Sequence, residues 1–354
     1  MYETTELIIG FIISFISTLI LVYPTKYFAK RIGVIDLPSY RKVHKDPTPS
    51  MGGFAIFLGV MMGLLFLTPS HEYFMQICIG ALVIIITGVL DDKYTIRPIL
   101  KLTGQILAAG ILIYSGLIIE KITIPFIGVV ELGFFSSAIT LLWIVGVTNA
   151  INLIDGLDGL ASGVSTIALT SIFVMAVLDE RTLVIFLCVI LIGSNLGFLF
   201  HNFYPAKIYM GDTGSMFLGY SIAVISILGL FKNVTLFSFI IPIIVLAVPI
   251  FDTLFAMVRR KLNGERVMAP DKKHIHHQLL SAGFSHRTTV LIIYGFSAMF
   301  GVLAIVFSNA PLNMLLFISF ILLLMLHLFA EVVGVVGSGQ RPVLKTLKKI
   351  FKKT

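Results

Sequence analysis

Long runs of apolar residues dominate the chain, and they limit what it can fold into. A helix needs about 20 apolar residues to cross the hydrocarbon core of a bilayer. Suitable runs lie near 6–24, 52–69, 73–90, 99–119, 135–153, 159–178, 183–201, 213–231, 235–258, 289–308 and 311–333. Only 12% of the 354 residues are charged, well below the fraction that is usual in soluble domains. The sequence therefore predicts an all-α polytopic membrane protein with about eleven transmembrane helices.

Two features modify this pattern. The segment 121–133 alternates apolar and polar residues and contains Gly128, which predicts a small β-hairpin outside the membrane. The last residues, 335–354, are strongly basic and follow the final apolar run. We therefore predict a single integral-membrane domain over residues 1–334, followed by a basic cytoplasmic tail.

The distribution of basic residues predicts the orientation of the chain. If successive runs cross in alternate directions, one side of the membrane holds only Lys121, Arg181 and Lys232 of the 26 lysines and arginines. Basic loops are retained in the cytoplasm. We therefore expect the N-terminus outside and the C-terminus inside. Basic segments at this face attract anionic lipid, and because no soluble module accompanies them, nucleic acid is not an expected partner.

Five polar clusters, far apart in sequence, fall on the predicted cytoplasmic side. They are "RKVHKDPTPSMGG", "GVLDDKY", "NLIDGLDG", "FYPAKIYMGDTGS" and "APDKKHIHHQ". Ionisable side chains near a bilayer are costly unless they are paired, hydrated or functional. Their convergence on one face predicts a single functional site there.

Three carboxylates favour a metal. Asp91 and Asp92 are adjacent and repel each other, so at least one needs a cation or a proton. Asp212 begins the eighth apolar run, and Mg²⁺ prefers carboxylate, phosphate and water oxygens. The alternatives are a hydrated helix end for Asp91 and Asp92 and an N-cap for Asp212.

A second group of polar residues recurs at a regular spacing. Asn152, Asp155 and Asp158 recur at a spacing of three, so they would form one polar stripe if they were helical. Alternatively, Asp158 caps the following helix. Tyr209 precedes Asp212 by three residues and could stack on a base, although an isolated interfacial tyrosine also suits the aromatic belt of a membrane protein.

The histidine cluster favours an anion. His274, His276 and His277 follow two lysines, which suits phosphate or pyrophosphate. Zinc usually takes four ligands, often with cysteine, and cysteine is absent nearby; a solvated loop is the remaining alternative. Asp252 lies within the ninth run, where a hydrogen bond to a neighbouring helix is its simplest role.

These groups together predict phosphoryl transfer between a soluble nucleotide compound and a lipid phosphate. A secondary transporter is the rival from another class, but transporter ion sites usually lie near the bilayer midplane, whereas these carboxylates fall at the ends of runs. A lipid-binding scaffold is a second rival, and it would need no metal.

The motifs "GVLDDKY", "NAINLIDGLDGL", "AKIYMGDTGS" and "HIHH" resemble the polyprenyl-phosphate N-acetylhexosamine-1-phosphate transferase family, of the glycosyltransferase 4 type. The resemblance spans nearly the whole chain and is closest to the Gram-positive branch that begins wall teichoic acid synthesis. "HIHH" favours GlcNAc over the MurNAc-pentapeptide substrate, which stays the alternative. Thr95 stands where some GlcNAc enzymes carry a third aspartate.

The resemblance implies a reaction and its participants. UDP-GlcNAc and undecaprenyl phosphate would give undecaprenyl-pyrophosphoryl-GlcNAc and UMP in a bacterial cytoplasmic membrane. Mg²⁺ would be the cofactor, with Mn²⁺ able to substitute, and a homodimer is expected. Direct displacement and a covalent aspartyl intermediate both stay open.

The resemblance also assigns roles to residues. Asp212 would bind the metal. The expected catalytic residues are Asp91, Asp92, Asp212, His276 and His277. The expected substrate-binding residues are Lys45, Ser50, Lys101, Asn152, Asp155, Asp158, Tyr209 and His274.

Overall fold

The computed structural model describes residues 3–36, 47–124, 128–229, 240–262, 264 and 274–333, and most of them are helical. The first helices are α1 (Thr4–Arg31), α2 (Gly52–Leu67), α3 (Phe74–Tyr94), α4 (Pro98–Tyr114), α5 (Ser136–Ile154), α6 (Leu160–Leu178) and α7 (Thr182–Asn202). They are followed by α8 (Gly211–Gly229), α9 (Ile240–Val245), α10 (Ala247–Leu262), α11 (Ile275–Ser281), α12 (His286–Asn309) and α13 (Leu312–Val333).

Eight segments in the described part of the chain are long and apolar enough to cross a membrane. They contain α1, α3, α5, α6, α7, α8, α12 and α13, while α2 and α4 are shorter apolar helices. The predicted class, a mostly helical multi-pass membrane protein, is confirmed. The number of eleven spans and their orientation stay predictions.

The ninth predicted run, 235–258, is not one continuous helix. Its described part forms α9 and then α10, with Leu246 in a turn between them. Pro249 lies in the first turn of α10 and has no N–H to donate to the preceding turn. The helix therefore restarts near this proline, and the described part of this run consists of two helices. The span itself stays a prediction. Residues 235–239 lie outside the described residues.

Two short antiparallel pairs accompany the helices. The predicted hairpin forms from β3 (Lys121–Ile124) and β4 (Gly128–Glu131), with the register running from Lys121 opposite Glu131 to Ile124 opposite Gly128. A pair that the sequence did not predict joins β1 (Ile35–Asp36) to β2 (Thr48–Pro49). Lys45 and the basic tail 335–354 lie outside the described residues.

Helix α8 lies at the centre of the bundle. Every residue from Thr213 to Gly229 is buried, and the helix packs against α2, α3 and α5. A helix that is enclosed on all sides has a fixed position. The groups at its N-terminal end, which begins at Gly211, are therefore held firmly against the ends of its neighbours.

Small residues allow the close approach of α2 to α8. A Cβ atom on Gly53 would overlap the backbone nitrogen and Cα of Gly214. Small residues commonly permit close backbone contact between membrane helices, where association depends on packing. The space between α2 and α8 therefore has no room for a side chain at Gly53.

We expect Gly53→Ala to lower the melting temperature of the purified protein in detergent. The added methyl group meets backbone, which cannot rotate away, and overpacking of this kind costs about 1–3 kcal/mol. Gly110→Ala is the matched control, because a Cβ atom there has nothing within 4 Å. Equal melting temperatures for the two variants would contradict the close contact between the helices.

Candidate active site

A cavity of about 520 Å³ opens where α3 and α5 end and α8 begins. All five polar clusters contribute to its lining. The predicted site residues in the lining are Ser50, Asp92, Asn152, Asp155, Asp158, Tyr209, Asp212, His276 and His277. The fold therefore brings together segments separated by as much as 227 positions in the sequence, between Ser50 and His277.

Asp92 holds the N-terminus of α8. Its Oδ1 accepts a hydrogen bond from the backbone N–H of Asp212 at 2.7 Å. Its Oδ2 accepts bonds from the N–H of Thr213 at 3.2 Å and from the Thr213 hydroxyl at 2.6 Å. The first N–H groups of a helix lack partners within the helix, and negative charge is favourable there. The carboxylate at the end of α3 therefore fixes the position of Asp212.

Gly211 allows this contact. Its φ is +70°, which lies in the left-handed region that favours glycine. A Cβ atom at this position would overlap the carboxylate of Asp92. The glycine of "MGDTGS" is therefore required both by its backbone conformation and by the carboxylate beside it.

Asp91 and Asp212 share one ammonium group. Lys101 of α4 forms an ion pair with Oδ2 of Asp91 at 2.6 Å and also pairs with Oδ2 of Asp212. Asp91 is only 7% exposed, and its Oδ1 is buried without a hydrogen-bond partner among the described residues. One positive charge therefore offsets only part of the charge of this acidic pair, and one oxygen of Asp91 is left without a partner among the described residues.

The donor set suits Mg²⁺ better than zinc. Mg²⁺ is usually bound by one or two carboxylates together with phosphate oxygens and water, and the unpartnered oxygen of Asp91 beside Asp212 offers such ligands. In the described part of the chain, no group of three or more His, Cys, Asp or Glu side chains is arranged to hold a metal ion. A structural zinc site would require a more complete ligand set.

The end of α5 contributes Asn152 and Asp155. The amide of Asn152 donates to the Ser215 hydroxyl at 2.8 Å, which ties α5 to α8. Asp155 follows the last helical residue and lines the cavity. Burial raises the pKa of Asp155 to about 8, and the negative charges of three neighbouring carboxylates act in the same direction. Asp155 therefore keeps its proton near neutral pH in this region of the cavity unless a cation is bound there.

Tyr209 is held through its backbone. Its N–H donates to the carbonyl of Pro49 at 2.8 Å, and its carbonyl accepts from the N–H of Gly52 at 2.8 Å. Ser50 lies opposite it in a parallel bridge, and both residues line the cavity. Burial raises the pKa of Tyr209 to about 12, with a smaller contribution from the negative charge of Asp158. The side chain is therefore a neutral phenol at physiological pH.

Asp158 and Asn202 fix the loops around Tyr209. Oδ2 of Asp158 accepts from the N–H of Ala206 at 2.9 Å. Asn202 accepts from the N–H of Gly159 at 3.0 Å and donates to the carbonyl of Ile208 at 2.9 Å. The sequence did not identify Asn202, although it adjoins the fourth polar cluster. Further lining residues that were missed are Asp36, Thr95 and His286.

The histidines differ in position. His276 and His277 line the cavity, whereas His274 does not; it is hydrogen-bonded to Asp252 instead. The His276 ring lies against Gly156, where a Cβ atom would overlap its Nε2. Burial lowers the pKa of the His276 imidazole, as do the positive charges of neighbouring histidines. The lowered pKa favours the neutral imidazole of His276, which can donate a hydrogen bond to a phosphate oxygen.

We expect Asp92→Asn to lower the melting temperature more than Asp91→Asn does. The introduced amide would face the donors of Thr213 with an NH₂ group, and a lost buried hydrogen bond costs about 1–3 kcal/mol. Asp91→Asn leaves the bonds at the α8 N-terminus intact. Thermal unfolding in one detergent compares the two variants, and a larger loss for Asp91→Asn would contradict the capping role of Asp92.

The raised pKa of Asp155 predicts a pH dependence of stability in the metal-free protein. An unfolded aspartate has a pKa near about 3.9, so the unfolded state releases this proton at lower pH than the folded state does. Stability contributed by the group is therefore lost as pH rises toward about 8.

Melting temperatures measured in EDTA between about pH 6 and pH 8.5 test this dependence. The decrease should be steeper for the unmodified protein than for Asp155→Asn, which has no proton to release. Parallel curves for the two proteins would refute the raised pKa.

The sequence of this chain is similar to those of known proteins. The sequence model of glycosyl transferase family 4 matches residues 73–230. The chain is 48% identical over 350 residues to a Bacillus subtilis (strain 168) protein named probable undecaprenyl-phosphate N-acetylglucosaminyl 1-phosphate transferase, covering 98% of each.

More distant relatives match over most of the chain. A Mycobacterium tuberculosis (strain ATCC 25618 / H37Rv) protein named decaprenyl-phosphate N-acetylglucosaminephosphotransferase is 37% identical over 77% of this chain and 75% of its own length. An Escherichia coli (strain K12) protein named undecaprenyl-phosphate alpha-N-acetylglucosaminyl 1-phosphate transferase is 29% identical, covering 79% and 78% respectively. The resemblance recognised in the motifs is confirmed, and the chain belongs to glycosyl transferase family 4.

Proposed function

We propose that the protein transfers GlcNAc-1-phosphate from UDP-GlcNAc to undecaprenyl phosphate, giving undecaprenyl-pyrophosphoryl-GlcNAc and UMP. The observation that carries this proposal is the cavity in which all five polar clusters meet, at one end of a bundle of apolar helices. Such a position suits a reaction between a water-soluble donor and a lipid acceptor. The names of the relatives, which combine a polyprenyl phosphate with N-acetylglucosamine phosphate transfer, support the same pair of substrates.

The proposed location is a bacterial cytoplasmic membrane, with the cavity facing the cytoplasm. The support is the distribution of basic residues, since only Lys121, Arg181 and Lys232 fall on the other side if the spans alternate, and basic loops are retained in the cytoplasm. A cytoplasmic cavity would meet the soluble donor directly.

In the proposed reaction, an oxygen of the lipid phosphate attacks the phosphorus that carries GlcNAc. The bond from this phosphorus to the UMP oxygen breaks, and UMP leaves with the electron pair. One phosphoanhydride replaces another, so the equilibrium lies near unity. A phosphate monoester has a second pKa of about 6, so the attacking phosphate is mostly a dianion at neutral pH and needs no general base.

The chief barrier is repulsion between two anions, and the cationic groups of the site lower it. Asp212 and Asp91 would hold Mg²⁺, or Mn²⁺ as a substitute. The bound metal would neutralise charge on the diphosphate and align its oxygens. Lys101, which bridges the two carboxylates, supplies a further positive charge close to the expected acceptor phosphate.

We favour direct displacement over a covalent aspartyl intermediate. Both carboxylate oxygens of Asp92 already accept hydrogen bonds from α8, so a nucleophilic role would disrupt the helix terminus. Asp91 retains one unpartnered oxygen among the described residues, but its other oxygen is paired with Lys101. The geometry supports roles in charge and position for both residues.

The donor would lie along the cavity from Tyr209 to the histidines. Tyr209 presents a neutral aromatic ring for stacking on uracil. Asn152 and Asp155 offer hydrogen bonds to the nucleoside, and His276 and His277, which also line the cavity, would contact the diphosphate. Ser50, Asp158 and Lys45 complete the expected substrate-binding set, whereas His274 does not line the cavity.

Two finer features belong to the same proposal. We expect the lipid product to begin wall teichoic acid linkage units or a related envelope polymer, since the 48% identical relative is a Bacillus protein. We also expect a homodimer in the membrane, as the family resemblance implies.

The reaction is tested with purified protein in detergent, UDP-GlcNAc carrying a radiolabel in its sugar, and undecaprenyl phosphate. We expect labelled lipid and UMP in Mg²⁺, no product in EDTA, and recovery with Mg²⁺ or Mn²⁺. Asp212→Ala should be inactive. Full activity in EDTA would refute the requirement for a metal. Detergent contains no sealed vesicles, so a transporter would give no labelled lipid in this assay, and the absence of labelled lipid would refute the transferase activity.

A parallel reaction with UDP-MurNAc-pentapeptide tests which sugar the protein transfers. We expect no product, and formation of the MurNAc-pentapeptide lipid would show that the donor is not UDP-GlcNAc alone.

Tyr209 provides a test of donor binding. Tyr209→Ala should raise the KM for UDP-GlcNAc about tenfold or more with a smaller effect on kcat, because base stacking on an aromatic ring contributes about 1–3 kcal/mol. Tyr209→Phe is the matched control, since it keeps the ring and should keep the KM. An unchanged KM in Tyr209→Ala would reject uracil stacking.

A further inference from the structure

Asp252 is a buried carboxylate outside the polar clusters that line the cavity. It lies in α10 and is only 1% exposed. Its Oδ2 lies 2.8 Å from Nδ1 of His274, and its Oδ1 accepts a hydrogen bond from the N–H of Ile275 at 2.8 Å. A buried charge is costly unless it is paired and hydrogen-bonded, and here each oxygen has a partner. Both partners lie at the beginning of α11.

These bonds make Asp252 the cap of α11. His274 occupies the N-cap position, but its own side chain makes no capping hydrogen bond. The orphan N–H of Ile275 is satisfied by a carboxylate 23 residues earlier in the chain. The start of α11 is therefore fixed by α10 and not by a local motif.

A row of rings connects this cap to the cavity. The His274 and His276 rings are nearly parallel, with centroids 6.0 Å apart. The His276 and His277 centroids are 4.2 Å apart. His276 and His277 line the cavity, and Nδ1 of His276 has no hydrogen-bond partner among the described residues. The position of His276 therefore depends on what holds the backbone just before it.

The carboxylate also fixes the proton on His274. A histidine beside a carboxylate donates its N–H to that carboxylate, which selects one tautomer and one ring orientation. A carboxylate can only accept, so its contact with Nδ1 of His274 requires the hydrogen on Nδ1.

We propose that Asp252 is a positioning residue for the nucleotide-sugar: through His274 and the start of α11, it holds His276 and His277 toward the donor diphosphate. This inference rests on the proposed transferase function. It assigns a role in the reaction to a residue that does not touch the cavity.

The variant Asp252→Asn separates this role from packing. Asparagine has nearly the same shape, and its oxygen can still accept from Ile275. Its NH₂ group, however, faces Nδ1 of His274, which must change tautomer or lose the bond. We expect the KM for UDP-GlcNAc to rise about tenfold or more, as for loss of a hydrogen bond to a charged group, while the KM for undecaprenyl phosphate changes less than about twofold.

A residue with only a structural role would give a different result. Partial unfolding lowers the concentration of active enzyme, and hence the apparent kcat, without changing either KM. Glu331→Gln is the matched control, because Glu331 is also a buried carboxylate, on α13, and does not line the cavity. We expect this control to alter the melting temperature without changing the KM for UDP-GlcNAc.

His274→Asn gives a second, independent variant. Asparagine is a good N-cap residue, so α11 can still begin at the same place, but the contact with Asp252 is changed. We expect a similar rise in KM, and we expect the double variant to be no worse than either single variant, because residues that act as a unit are not additive. If Asp252→Asn does not fold, His274→Asn alone decides.

The outcomes distinguish the positioning role of Asp252 from the proposed transferase activity. An unchanged KM for UDP-GlcNAc in folded Asp252→Asn, or in His274→Asn, overturns the positioning role while leaving the transferase intact. Additive losses in the double variant overturn it as well. If the unmodified protein transfers no GlcNAc-1-phosphate, the proposed function fails first.

Discussion

The contact between Asp92 and the beginning of α8 is the interaction on which the candidate site depends. The first N–H groups of a helix lack partners within the helix, and the carboxylate at the end of α3 supplies the acceptors for α8. This contact places Asp212 beside Asp91, and Lys101 then joins the two carboxylates. The same bonds that complete the helix therefore assemble the acidic part of the cavity.

The site divides into parts that are held in different ways. Side-chain bonds hold the acidic part, main-chain bonds hold Tyr209, and a cap from α10 holds the histidines. Each part is fixed by a helix end and not by a long loop. A cavity made from helix ends is well suited to a reaction at a membrane surface, because the helices carry the lipid-facing surface while their termini supply polar groups.

The sequence predicted the long helices and half of the residues that line the cavity, because both follow from local patterns. Apolar runs indicate spans, and alternation with Gly128 indicated the hairpin. The break near Leu246, the short helix α11 and the β1–β2 pair were not predicted, since they depend on distant contacts. Asp252 shows the reason: its two partners lie 22 and 23 positions away, so no local spacing reveals that it caps a helix. His274 was predicted to act with the other histidines, but it contacts Asp252 instead, and this distant contact also leaves no local pattern in the sequence.

The junction between Ser50 and Tyr209 is made by peptide groups. Every amino acid except proline supplies the same main-chain donor and acceptor, so these hydrogen bonds do not depend on the side chains at the two positions. Substitutions at these two positions therefore leave the main-chain hydrogen bonds in place. A change of side chain at Tyr209 would alter what the cavity binds without altering the scaffold around it.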